Sequence, residues 1–179
     1  NGCTTLSTGT VTLFPAVSST ASQNNVSCFG GSNGTAIATA TAGTPAFTYM
    51  WSSSQTTYAI TGLSAGNYIA VITDANGCTK ADTISITQPA VLIPNTSQTN
   101  VSCFRGSNGT AAISPSGGTS SYIYSWSNGQ TTSSVTNLST GNYSVTITDT
   151  NGCIATDTIL ITQPAVLSST SSQTNVSCF

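Results

Sequence analysis

An internal repeat of seventy-five residues constrains this chain more than any other feature. Asn-Gly-Cys occurs at Asn1–Cys3, Asn76–Cys78 and Asn151–Cys153, and Asn-Val-Ser-Cys-Phe at Asn25–Phe29, Asn100–Phe104 and Asn175–Phe179, both at a spacing of 75. Residues 23–97 align on 98–172 without a gap, with 43 identities in 75 positions. A period of this size marks a tandem array of small units, each contacting mainly its neighbours. The expected organisation is two full repeats, 23–97 and 98–172, with the C-terminal part of a preceding repeat (1–22) and the start of a following one (173–179). The 179 residues then read as a window on a longer array.

Within each repeat the pattern is β throughout. Tyr143, Val145 and Ile147 alternate with Ser144, Thr146 and Thr148, a period of two that buries one face of a strand and wets the other. Ile84/Ile86 and Ile159/Ile161 mark the next strand; Phe47/Tyr49/Trp51 and Tyr122/Tyr124/Trp126 mark an earlier one. Ser-Asn-Gly at 32–34 and 107–109, Gly-Thr at 43–44 and 118–119 and Asn-Gly at 76–77 and 151–152 supply the turns. Strands are expected over roughly 24–28, 35–41, 46–52, 56–62, 67–73 and 79–87, and again one repeat later. Trp51 and Trp126 suit the core of a third strand. Tyr68 and Tyr143, opening a long strand after Leu-Ser-x-Gly-Asn, suit a tyrosine corner. The expected fold class is all-β: tandem immunoglobulin-like β-sandwich repeats in an extended array. Residues 4–13 read as a last strand and 175–179 as a first strand without their own domains, so the segment is expected within a polymer or longer chain.

Composition removes most chemistry. The chain has 34 Thr and 29 Ser, two basic residues (Lys80, Arg105), four acidic ones (Asp74, Asp82, Asp149, Asp157), no Glu and no His. A general base poised near neutral pH is usually His or a tuned Glu or Lys. The second repeat lacks all three, so neither a nucleophilic triad nor a Lys–Asn isopeptide cross-link is available there. No enzyme activity, cofactor or metal is expected. Two basic residues leave no footprint for nucleic acid, and no apolar run approaches a membrane span. Plentiful Val, Ile, Thr and Tyr argue for a folded chain rather than a disordered one.

The six cysteines, Cys3, Cys28, Cys78, Cys103, Cys153 and Cys178, fall two per repeat. With no Cys-x2-Cys spacing and no His, zinc is a weak reading and disulfides in an oxidising compartment a strong one. Pairing stays open between Cys28–Cys78 with Cys103–Cys153, Cys28–Cys153, and Cys78–Cys103. Sandwich topology puts Cys28 and Cys78 near opposite poles and so favours a bond between repeats.

Asp74-Ala-Asn-Gly and Asp149-Thr-Asn-Gly suggest a Ca²⁺ loop or an Asx turn. One carboxylate per site is thin for calcium's 6–8 oxygens, so the turn is favoured. Thr35–Thr41 alternates in the manner of a hydroxyl array for ice or carbohydrate, but an ordinary solvated strand face is the simpler reading. Asn-x-Ser/Thr sequons at Asn25, Asn33, Asn95, Asn100, Asn108, Asn137, Asn142 and Asn175 follow from composition.

The order Asn-Val-Ser-Cys-Phe-x-Gly-Ser-Asn-Gly-Thr-Ala, Tyr-x-Trp-Ser, Gln-Thr-Thr, Leu-Ser-x-Gly-Asn-Tyr, Thr-Asp-x-Asn-Gly-Cys and Ile-Thr-Gln-Pro resembles the SprB repeat of large surface adhesins of gliding Bacteroidota. Arg105, where the first repeat has Gly30, is a departure. The resemblance implies an extracellular, bacterial cell-surface location, type IX secretion, and a role in adhesion, gliding motility or fibre formation. It also makes Thr83 and Thr158, in Asp-Thr-Ile, candidate O-glycosylation sites. The expected function is a structural stalk or filament segment of a secreted adhesin. Its partners would be neighbouring repeats, like chains in a polymer, and surface glycans. The Gln-Pro-Ala-Val segments at 88–91 and 163–166 would set the joints. The alternative is a glycan- or protein-binding accessory module of a secreted protein.

Overall fold

The structure, a computed structural model, describes residues 14–175. The strands expected over 4–13 and 175–179, with Cys3 and Cys178, lie outside the described residues except for Asn175, which is not in a strand. The chain divides into two units at Gln88/Pro89, nine residues before the boundary read from the repeat at 97/98. The first unit contains β1 (Ser18–Asn24), β2 (Gly34–Ala42), β3 (Thr48–Trp51), β4 (Ala59–Leu63), β5 (Gly66–Thr73) and β6 (Thr79–Ile86). The second contains β7 (Thr96–Thr99), β8 (Gly109–Ile113), β9 (Tyr122–Trp126), β10 (Ser134–Leu138), β11 (Gly141–Asp149) and β12 (Ile154–Ile161).

Each unit is a sandwich of two three-stranded antiparallel sheets. The orders are β1-β2-β4 and β3-β5-β6 in the first unit, and β7-β8-β10 and β9-β11-β12 in the second. In chain order the six strands take the places A, B, C, E, F and G of an immunoglobulin sandwich, A-B-E facing C-F-G, with no D strand. The fold is immunoglobulin-like, all-β and tandem, and its cause is the period-two pattern. On β5, Ala70 and Ile72 point inward and are buried, as are Val145 and Ile147 on β11. Trp51 (2 % exposed) and Trp126 (3 %) end the C strands inside two separate cores. The Gly of the Ser-Asn-Gly turn is dictated by close approach: a Cβ on Gly34 would lie 2.8 Å from the Leu63 carbonyl oxygen and 2.9 Å from Ile86 Cγ2.

The first strand of each unit is where the sequence reading and the structure part. Of the strand expected over 24–28, only Asn24 is in a strand, as the last residue of β1, and residues 25–28 form a turn segment after it. Its Val26 is a loop plug, 3 % exposed and packed in the core. The true strand, Ser18–Asn24, lies at a sheet edge with most of its residues exposed and no apolar alternation to reveal it.

β7 has four residues where β1 has seven. Ser19 pairs with Ala40 in the first unit, and one repeat later the same two positions are Pro94 and Pro115. Proline carries no N–H for a ladder. β7 and β8 therefore pair only over Thr96–Thr99, leaving an isolated bridge at Ile93↔Ser116.

Candidate functional site

Three constellations recur in both units, beginning with the turn after the F strand. Asp74 Oδ1 accepts the N–H groups of Asn76 (3.0 Å) and Cys78 (2.9 Å), and Oδ2 accepts that of Thr44 (3.0 Å). Asp149 repeats this with Asn151 (2.9 Å), Cys153 (2.8 Å) and Thr119 (2.8 Å). The Asn side chains donate to the Oγ1 of Thr44 and Thr119. One carboxylate thus closes the F–G turn and ties it to the B–C loop. The Thr44 N–H leads the groups that hold Asp74 below the usual carboxylate pKa, against the opposing effect of burial. At Asp149 burial is the largest influence and pushes upward, but the N–H groups of Thr119, Cys153, Asn151 and Gly152 together outweigh it and lower the pKa. With three N–H donors on each carboxylate, these Asp residues are turn-holders of the Asx kind rather than calcium ligands.

The opposite end is closed by asparagines that read as sequons following from composition and by the Gln of the Gln-Pro-Ala-Val joints. Asn25 Oδ1 accepts Thr87 N–H (3.0 Å), Asn33 Oδ1 accepts Ser27 N–H (3.0 Å), and Gln88 Oε1 accepts Gly30 N–H (2.7 Å). Asn100, Asn108 and Gln163 do the same for Thr162, Ser102 and Arg105. These are the polar letters of Asn-Val-Ser-Cys-Phe-x-Gly-Ser-Asn and Ile-Thr-Gln-Pro. Their recurrence was the available signal, obscured because the same asparagines also read as sequons. Arg105 takes the left-handed backbone of its counterpart (φ 59°, against 72° at Gly30) and lays its guanidinium 5.3 Å from the Phe104 ring centre.

The cysteines occupy these two ends. Cys28 lies in the segment tied to Thr87 and Gln88, and Cys78 lies beyond the F–G turn, with the eight paired residues of β5 and β6 between them. Eight residues of strand span about 26 Å, whereas a disulfide needs Cα atoms roughly 4.4–6.8 Å apart. Pairing of Cys28 with Cys78, and by the same geometry of Cys103 with Cys153, is excluded. Cys28 and Cys153 each take part in a disulfide, whereas Cys78 and Cys103, also read as disulfide cysteines, are free and exposed in this structure.

The flank of each sandwich carries the third constellation. Asp82 on β6 accepts a hydrogen bond from Ser19 Oγ on β1 and pairs with Lys80 at 3.9 Å. Pro94 removes that hydroxyl in the second unit, and Thr96, two residues on along the same strand face, donates to Asp157 Oδ2 at 2.7 Å instead. Each Asp thus links its G strand to the A strand instead of pointing to solvent. The adjoining Thr83 and Thr158 are exposed.

Inside, Trp51 Nε1 donates to Thr57 O (2.7 Å) and Trp126 Nε1 to Thr132 O (2.9 Å), so the Gln-Thr-Thr motif folds back to satisfy the buried indole. Tyr68 and Tyr143 pack at the core margin, and their hydroxyls donate to Ser64 O and Ser139 O at 3.1 Å.

A family model described as "SprB repeat" matches residues 20–56 and 95–131. Both matches run from the A strand through the plugged turn and the Trp of the C strand. No curated protein matches the chain. Among solved structures it is similar to a C-terminal 282-residue fragment of intimin in complex with the translocated intimin receptor's intimin-binding domain, at 13% identity and TM-score 0.43, covering 84% of this chain and 64% of that one. It is also similar to the N-terminal four Ig domains of Dscam1 isoform 9.44, at 12% identity and TM-score 0.35, over 71% of this chain and 39% of that one. The amphioxus IgVJ-C2 molecule matches at 13% identity and TM-score 0.29, over 79% and 96%. The chain spans about two fifths of the Dscam1 structure.

Proposed function

We propose that this chain, which bears two SprB repeats, is a stalk or filament segment of a secreted bacterial surface adhesin. The observation that carries the reading is construction by repetition. Each unit has its own core and its own two locked ends, built by equivalent residues 75 positions apart, and its own A–G flank contact centred on an equivalent Asp. The polar groups of the repeated motifs are taken up in holding the backbone, which suits a non-catalytic spacer. Its role is to carry an adhesive or gliding element away from the cell. Among the described residues no helix is long and apolar enough to cross a membrane.

Two chemical features follow from an extracellular location reached by type IX secretion. Cys78 and Cys103 hold the positions of Cys153 and Cys28 in the repeat, and in the oxidised protein they complete the same disulfide framework. Nonreducing peptide mapping tests this, and both thiols remaining free in secreted material would contradict it. Thr83 and Thr158 are O-glycosylated at Asp-Thr-Ile; an unmodified mass for the secreted peptides containing them would refute that.

The location is tested by immunogold labelling of intact cells of the source organism with antibody to this segment. Label standing off the outer membrane is expected. Label appearing only after permeabilisation would overturn the reading.

A further inference from the structure

We propose that Asn128 is a site of spontaneous deamidation, which gives the second unit an added carboxylate and loosens the turn beside Trp126. The inference does not depend on the stalk reading. Five Asn-Gly pairs lie among the described residues, beginning at Asn33, Asn76, Asn108, Asn128 and Asn151. In each the following residue has no Cβ to crowd its own nitrogen. The dipeptide therefore ranks the five equally, and their surroundings decide which one reacts.

Four of the five are tied. Asn33 and Asn108 each bond twice to a serine, accepting the N–H of Ser27 or Ser102 on Oδ1 and donating Nδ2 to the same residue's Oγ. The glycines after them, Gly34 and Gly109, are buried at the start of β2 and β8. Asn76 and Asn151 donate Nδ2 to Thr44 Oγ1 (2.7 Å) and Thr119 Oγ1 (3.0 Å) in the B–C loops. Asn128 is exposed in the turn between β9 and β10, and its Nδ2, the group that must leave, makes no hydrogen bond among the described residues. Its Oδ1 accepts the Gln130 N–H at 3.2 Å. A bond to the residue two positions on folds the side chain over the intervening peptide, which is the approach the reaction needs. The same N–H stabilises negative charge on Oδ1 as the carbonyl is attacked.

The Gly129 nitrogen gives up its proton and bonds to Asn128 Cγ. The Cγ–Nδ2 bond breaks, and the amide leaves with that proton as ammonia. Water then opens the cyclic imide. Opening at Cγ yields Asp and keeps the backbone length; opening at the main-chain carbonyl yields isoaspartate, with one more methylene in the backbone. That methylene falls between two 2.9 Å bonds, Gly129 N–H to Trp126 O and Trp126 N–H to Gln130 O, in the turn that leads to the Thr132 carbonyl on the buried indole. The first unit has Ser53-Ser54 at the equivalent positions and has no amide to lose there.

The test is peptide mapping of the whole chain over time in mildly alkaline buffer, with a urea-unfolded sample as reference. In the unfolded sample the five pairs should convert at similar rates, each with the one-dalton gain of amide-to-acid exchange. In the folded chain Asn128 should convert several-fold faster than the other four. Amide exchange at Trp126 and Gly129 should quicken in the isoaspartate fraction while that at Trp51 and Ser54 stays unchanged. Thr44→Val, which frees the Asn76 amide, should raise the rate at Asn76 toward that at Asn128, and Asn128→Ser should remove the fastest conversion. Conversion at Asn128 no faster than at the four tied sites, the same ranking in the unfolded chain, or a rate at Asn76 indifferent to Thr44→Val would each overturn the proposal.

Discussion

Asp74 and Asp149 show how much of this fold hangs on single polar side chains. Their carboxyl pKa values are lowered in the folded chain by the N–H groups they accept. An unfolded Asp titrates near 3.9. The stabilisation is therefore complete above that value and is lost as pH falls through the lower folded pKa. Thermal midpoints should drop on acidification below about pH 4, and a variant carrying Asp74→Asn and Asp149→Asn should be less stable at neutral pH with a flatter acid limb. An acid limb unchanged by the two substitutions would contradict this role. The A–G flank contact makes a second residue-scale prediction. Ser19→Ala should cost about 1 kcal/mol in urea unfolding, and Ala21→Thr added to it should recover most of that loss, because the second unit already uses this position at Thr96. No recovery would mean that Asp82 cannot be reached from that position.

At the scale of the element, legibility followed burial. Strands with an alternating buried face, such as β5 and β11, were readable because water and core impose opposite residue types at successive positions. β1 was not readable, since an edge strand with most of its side chains in solvent needs no apolar letters. The plug at Val26 was misread because a Val in a short apolar run looks the same in a loop as in a strand. The Trp and Tyr positions were legible as types, but the donors and acceptors around them were not, since Thr57 and Ser64 act through backbone carbonyls that carry no sequence signal. The proline pair yields a test at this scale. Restoring Pro94→Ser and Pro115→Ala should lengthen β7 toward the seven residues of β1 and slow amide exchange over residues 93–97. Unchanged exchange would mean that something other than the missing N–H groups keeps β7 short.

At the scale of the whole molecule, the equivalence of the two units is the claim that matters. Two separate cores mean that Trp126→Ala, at about 3–5 kcal/mol for loss of a buried aromatic, should destabilise the second unit and leave the transition of the first where it was. The near-absence of charge has a consequence at the same scale, since a surface with so few ionisable groups gives stability little dependence on salt. The most direct measurement is single-molecule stretching of the chain, tethered at its ends under reducing conditions. The account predicts two unfolding events of similar force, each releasing roughly 200 Å of chain as about seventy ordered residues extend, and one of these lost or weakened in the Trp126→Ala variant. A single event releasing the whole length, or both events weakened together by that substitution, would contradict it.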